Sequence, residues 1–201
     1  MEIISSEILQ ELKLPNHDSH KGQNGRLLII AGSEKFHGAL VLACQIASRL
    51  VDMVYVLSTP GNQAIVQRMK YEQATFVTIT KDELWDTIDL VDAVLMGPGL
   101  PETKEHVKLA GRLLHDFDDK ETVLDASILY KIDPLWLHKN CVVTPHTREF
   151  AELFHCEPTS ENTQKMAAYY GCRIVLKGRY DYVSNGKELW ENRTGNAGMT
   201  K

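Results

Sequence analysis

Short unbroken apolar runs alternate along this chain with longer stretches whose apolar positions recur every three or four residues. The runs are LLIIA (Leu27–Ala31), MVYVL (Met53–Leu57), TFVTI (Thr75–Ile79), DAVLM (Asp92–Met96), ETVLD (Glu121–Asp125), CVVT (Cys141–Thr144) and RIVLK (Arg173–Lys177). Continuous Val, Ile and Leu over such lengths predict strands buried on both faces, as in a parallel sheet. Between them the helical period predicts helices over Gly38–Val51, Asn62–Met69, Thr103–His115, Pro145–Phe154 and Asn162–Gly171. The first residues, MEIISSEILQELKL, predict a short amphipathic helix with Ser5 or Ser6 as cap and Glu7 in its first turn. In YDYVSNGKELWE, Asn185-Gly186 lies between two short alternating runs, which signals a hairpin. The pattern as a whole predicts an α/β fold with a mostly parallel central sheet, helices on both faces and a C-terminal antiparallel hairpin. No repeat, low-complexity tract or linker interrupts it, so residues 1–201 read as one domain.

Composition narrows the function. The 201 residues are 43% hydrophobic and 24% charged, an ordinary globular balance. A net charge of −5 argues against nucleic acid or an anionic membrane as partner. No run approaches the roughly 20 apolar residues of a membrane span, and the N-terminus lacks the basic start and apolar stretch of a signal peptide. Cys44, Cys141, Cys156 and Cys172 are scattered, without a CxxC pair, and read as free thiols in a cytoplasmic setting.

Ligands of open parallel sheets sit at the carboxyl ends of the strands. Here those ends carry AGSEKFHGA, MGPGLPET, LDAS, TPHTRE and LKGRYD, where each apolar run stops at Gly, Pro, Ser, Thr or a lone charge. Gly38 and Ala39 open a helix, so their backbone N–H groups favour an anion, or the stretch is a plain capped loop. It is neither GxGxxG nor GxxxxGK[ST]. Gly97 and Gly99 flank Pro98, a tight turn that admits a flat ring or a ribose against the backbone. In TPHTREF, Thr144 fits a cap, Pro145 the first helical position and His146 the first turn. An imidazole at the positive end of a helix dipole is held neutral, ready to exchange a hydrogen bond with a ligand. Glu149, one turn on, suits a magnesium-bound water. Lys177, at the exit of an apolar strand, should point to water or to a phosphate, because a buried unpaired charge costs several kcal/mol. Asp181 reads as a contact to the same ligand or as a partner of Arg179. The final NRTGNAGMTK supplies Asn192 and Thr194 as polar groups and Gly195 and Gly198 as open backbone, a weak anion nest.

In order and spacing, KGQNGRLLIIAGSEKFHGA, DAVLMGPGL, VLDAS, VVTPHTREF, IVLKGRYD and NRTGNAGM resemble the NAD(P)H-hydrate dehydratase family of the ribokinase-like superfamily, from about His20 to Lys201. The resemblance implies a three-layer α/β/α fold. It implies a hydro-lyase that uses ADP or ATP, with Mg2+, to dehydrate the S-form of hydrated NADH or NADPH. By the same resemblance Gly38, Ala39, Gly97, Gly99 and His146 line the hydrated dinucleotide. Lys177, Gly178, Arg179, Tyr180 and Asp181 line the AMP part of the nucleotide, with Asn192, Thr194 and Gly195 beside them, and Glu149 is the magnesium-associated acid. The family continues into a Gly-Gly-Thr-Gly-Asp segment whose aspartate takes the hydroxyl proton, followed by helices on one sheet face. That segment is expected beyond Lys201. The chain is therefore read as a C-terminally incomplete domain with no catalytic residue of its own, inactive alone, with one apolar sheet face exposed. A homo-oligomer, a tetramer in the full-length family, is the expected assembly. Two other readings stay open on the residues: a small-molecule kinase of the hydroxymethylpyrimidine or hydroxyethylthiazole type, and a non-catalytic nucleotide-binding protein.

Overall fold

A computed structural model describes residues 1–11 and 14–195. Gly198 of the anion nest expected at the C-terminus lies outside them. Ten strands among the described residues form one sheet. In chain order the elements are β1 (Glu2–Ile3), β2 (Arg26–Ile30), α1 (Gly38–Ala47), β3 (Met53–Leu57), α2 (Pro60–Met69), β4 (Phe76–Thr78), α3 (Leu84–Leu90) and β5 (Ala93–Met96). There follow α4 (Lys104–Asp116), β6 (Glu121–Leu124), β7 (Cys141–Val143), α5 (Thr147–Phe154), α6 (Ser160–Tyr170), β8 (Arg173–Leu176), β9 (Asp181–Ser184) and β10 (Leu189–Asn192). The strand order is β1-β10-β9-β8-β7-β6-β5-β2-β3-β4. Strands β2 to β8 pair in parallel, while β9 and β10 run antiparallel to their predecessors.

The seven apolar runs all become strands, within a residue or two at their ends. Helix starts follow the cap chemistry of the sequence. Thr59, Thr103 and Thr159 each accept a backbone N–H of the turn they open. The Asn185-Gly186 hairpin forms with a four-residue loop, in which the Asn185 side chain accepts from Lys187 and Glu188 N–H. Three features differ from the pattern. The N-terminal segment is a 3-10 turn over Ser6–Glu11 with no buried residue, since its apolar side chains find nothing to pack on. Ahead of it β1 adds to β10, with Glu2 opposite Trp190. Helix α3 has only seven residues, too few to show a period among its charges.

The sheet is covered unequally. On one face α3, α4, α5 and α6 pack on a core that includes Leu28, Val94, Leu124, Val143, Ile174 and Phe150. On the other, α1 and α2 cover Ile29, Val54 and Val56 of β2 and β3. Beyond them, Val123, Val142, Val175, Val183 and Trp190 lie on that second face of β6 to β10: Val123 is in register with Val142, and Val183 with both Val175 and Trp190, while Val142 itself pairs with Arg173. They are only half-buried and belong to neither core. The flank of α1 carries exposed Leu42 and Ile46, with Leu50 just past its end. All four cysteines are free. Burial pushes the thiols of Cys44 and Cys172 up to about 12 and that of Cys141 to about 11.

Candidate functional site

The carboxyl ends of β2, β5, β6, β7 and β8 are tied into one rim by short contacts. Gly97, after β5, has φ +129°, and a Cβ there would lie 1.8 Å from the carbonyl oxygen of Asp125 after β6. Only glycine fits. Gly99 has φ +71°, and a Cβ would meet the Phe36 carbonyl oxygen at 3.2 Å. The Gly32 N–H donates to the Pro98 carbonyl at 2.7 Å. The glycine loop is thus clamped between the loop after β2 and the end of β6.

On the next strands, Asp125 Oδ1 lies 2.5 Å from Lys177 Nζ and accepts the Thr144 hydroxyl at 2.7 Å. The Lys177 N–H donates to the Pro145 carbonyl at 2.8 Å, and Lys177 bridges to His146 in parallel register. Lys177 is thus paired with a carboxylate while its side chain stays 41% exposed at the rim. It is held by a carboxylate that the sequence showed at a strand end without revealing its partner.

The expected cap of α5 is corrected by the same contacts. With its hydroxyl engaged on Asp125, Thr144 does not cap the helix, and Pro145 is not the first helical residue. The cap falls on His146, whose Nδ1 accepts from the N–H groups of Arg148 at 3.1 Å and Glu149 at 3.2 Å. Nδ1 thus carries no proton, and Nε2 is the N–H of a neutral ring. Nε2 stands 3.5 Å from both the Tyr130 hydroxyl and Glu149 Oε1. Burial first, then the Glu149 carboxylate, push the Tyr130 phenol up, so it stays a protonated donor. Glu149 is buried, and its Oε2 accepts the His146 N–H at 2.8 Å, completing a capping box.

After β8, Gly178 N–H donates to Asp181 Oδ1 at 3.1 Å, and Asn192 donates to Asp181 Oδ2 at 3.2 Å. Asp181 thus folds its own turn instead of pairing with Arg179. Arg179 and Tyr180 are exposed, with the guanidinium 5.7 Å from the ring centroid. Thr194 hydrogen-bonds Asn192 through its hydroxyl and N–H, and Gly195 is exposed beside it. Gly38 and Ala39 are exposed at the start of α1, which has no side-chain cap on its first N–H groups. They join the rim through Phe36, whose carbonyl closes on Gly99.

The structure therefore brings Gly97, Gly99, His146 and Lys177 together and adds Asp125, Thr144 and Tyr130. Asp125 had a visible signal, a lone acid ending an apolar run. Tyr130 had none. Among the described residues no group of three His, Cys, Asp or Glu is arranged to hold a metal ion. Lys177, the uncapped N–H groups of α1 and the glycine backbone suit the binding and orientation of a phosphate-bearing ligand.

Over residues 27–201 the sequence matches the family model for NAD(P)H-hydrate dehydratase. It is 33% identical to the bifunctional NAD(P)H-hydrate repair enzyme of Methanocaldococcus jannaschii, across 96% of this chain and 39% of that protein. It is 28% identical to the ADP-dependent (S)-NAD(P)H-hydrate dehydratase of Cenarchaeum symbiosum, across 91% of this chain and 69% of that one. The chain thus spans well under half the length of the bifunctional relatives it matches. The ADP/ATP-dependent NAD(P)H-hydrate dehydratase of Bacillus subtilis, co-crystallised with ATP/Mg2+, superposes with a TM-score of 0.81 at 24% identity, covering 100% of this chain and 75% of that one. A ribokinase-like superfamily protein of Enterococcus faecalis superposes with a TM-score of 0.87 at 22% identity, covering 100% and 74%. At such identities the structures speak for the fold, which is ribokinase-like. Motif order, rim geometry and the match over most of its length agree: the chain belongs to the NAD(P)H-hydrate dehydratase family.

Proposed function

We propose that the rim binds hydrated NADH or NADPH together with ADP or ATP and serves the nucleotide-dependent dehydration that restores the reduced cofactor. The observation that carries this reading is the contact chain from Gly97 through Asp125 to Lys177 and His146, which gathers a tightly packed glycine backbone, a cation and an imidazole at one edge. In the reaction the terminal phosphoryl group passes to the hydrate hydroxyl. The C–O bond then breaks, inorganic phosphate leaves with the electron pair, and loss of the neighbouring C–H proton restores the ring double bond. Phosphoryl transfer asks the protein mainly for alignment and charge neutralisation. In this reading Lys177 faces the nucleotide phosphates, and the turn from Gly178 to Asp181, with Asn192, Thr194 and Gly195, receives the AMP part. Gly38, Ala39, Gly97, Gly99 and His146 receive the hydrated ring, His146 donating through Nε2.

Magnesium enters with the nucleotide as its counter-ion. Glu149, buried and turned into its own cap, does not fit a directly bound ion, and no step here runs through one. The half-buried apolar row from β6 to β10 supports self-association, with a tetramer as the form the resemblance implies, and the free thiols fit a cytoplasmic setting.

Calorimetry of the 201-residue protein tests the reading. ADP and hydrated NADH should each bind saturably, and ADP should lose affinity in Lys177→Met. Binding of a thiazole or pyrimidine alcohol in place of the hydrate would favour a vitamin-precursor kinase. ADP binding with no affinity for any of these alcohols would favour a nucleotide-binding protein without an enzymatic role.

A further inference from the structure

On the sheet face that carries α3 and α4, behind the loop after β2, lies a cavity of about 910 Å³. Asp125, His146 and Lys177 take no part in it. Its floor is buried and apolar, made by Ile30, Leu57, Leu84 and Leu100. Two aromatic side chains line it: Phe36 from the loop after β2, and Trp85 from α3. The Trp85 ring is held in place by Phe117, stacked at 5.6 Å, and by the Arg112 guanidinium, 3.7 Å from the ring centroid.

The mouth is basic. Lys35, Lys81, Lys108 and Arg112 face Glu34 and Glu105. Lys81 is paired with Glu105 at 2.6 Å and Arg112 with Asp116 at 3.2 Å. Lys35 and Lys108 have no carboxylate within 4 Å among the described residues. A dry floor, an aromatic wall and unpaired ammonium groups at the entrance are the parts that recognise a flat heteroaromatic ring carrying phosphate. The volume lies within the range that encloses such a ligand.

The cavity also touches the rim. Gly32 and Phe36 line it, and both close on Gly99 from the other side, with backbone atoms 3.3 and 3.2 Å from where a Gly99 Cβ would sit. A ligand with one ring on the Gly97–Gly99 loop therefore has only that loop to cross before its far end reaches the cavity. We propose that this cavity seats the adenylate half of the hydrated dinucleotide, while its nicotinamide half lies on the rim. The inference rests on the hydrate reading given above. The same chemistry could be presented by the adenylate of ADP, so the test separates the two sources.

In a Trp136→Phe, Trp190→Phe background Trp85 is the sole tryptophan. NAD+, nicotinamide mononucleotide and ADP are titrated with fluorescence and calorimetry in parallel. The proposal expects NAD+ to quench Trp85, the mononucleotide to bind without quenching, and saturating ADP to leave the NAD+ response in place. It also expects Lys108→Glu, on an exposed position, to weaken NAD+ about fivefold or more and to leave the mononucleotide unchanged. NAD+ binding by calorimetry with a silent Trp85 and an indifferent Lys108→Glu would overturn the cavity assignment and leave the rim reading standing. Quenching by ADP that competes with NAD+ would give the cavity to the co-substrate and overturn it as well. Absence of binding by both NAD+ and the mononucleotide would overturn the rim reading and the cavity assignment together.

Discussion

Asp125 and Lys177 lie 52 positions apart in the chain and meet at 2.5 Å across the intervening strand β7. Their side chains are 26% and 41% exposed, so the pair contributes at most about 1 kcal/mol to stability. Its consequence is positional. The carboxylate also holds the Thr144 hydroxyl, so the ammonium is fixed at the rim before any ligand arrives. Lys177→Met should therefore weaken ADP binding about tenfold, roughly 1.4 kcal/mol, while shifting the unfolding midpoint little. Calorimetry and thermal unfolding of the same variant check both halves. A large stability loss with unchanged ADP affinity would make the lysine a structural residue.

His146 carries two roles that substitution can separate. Its Nδ1 caps α5, and its Nε2 faces Tyr130. His146→Ala should cost about 1 kcal/mol in urea unfolding through the lost cap. His146→Asn restores a capping oxygen, so its stability should stay within about 0.5 kcal/mol of the parent. Both variants should lose affinity for the hydrated dinucleotide, because neither presents the ring N–H.

Gly97→Ala is the severe test of the rim. The added carbon would sit 1.8 Å from the Asp125 carbonyl oxygen, on a backbone with φ +129°. Either the loop or the end of β6 must move. A loss on the order of 3 kcal/mol or more is expected in denaturant titration, with ADP affinity reduced in whatever folded protein remains.

His138 sets an acid limit on stability. Burial holds its imidazole below the ordinary value of 6.5, and its Nε2 is buried without a hydrogen-bond partner. A folded-state value below the unfolded one means that the unfolded chain binds the proton more readily. The contribution is fully present above pH 6.5 and is lost as the pH falls from there through the folded-state value. Melting curves should show the parent losing stability from neutral pH toward pH 5, and His138→Gln losing less over that interval.

The short apolar runs and the capping residues were enough, by themselves, to indicate the α/β class, the strands, most helices and which loops lie at the carboxyl ends of the strands. The physical reason is local. A run of Val, Ile and Leu, a Thr before a helix and an Asn-Gly turn each act over a few residues. Helix α3 leaves no sequence signal because seven residues among charges carry too little period, and amphipathy alone does not make the N-terminal segment a helix because it supplies no surface to pack on. What only the tertiary structure decided were the long-range pairings. Asp125 took Lys177 and Thr144, and that engagement moved the cap of α5 onto His146. The cap in turn drew the Glu149 carboxylate inward. The cavity behind the β2 loop belongs to the same class, since its walls come from four separate stretches of chain. Side chains that meet only after the sheet assembles leave no periodic trace in the order of residues, so their partners are fixed by the register of the strands.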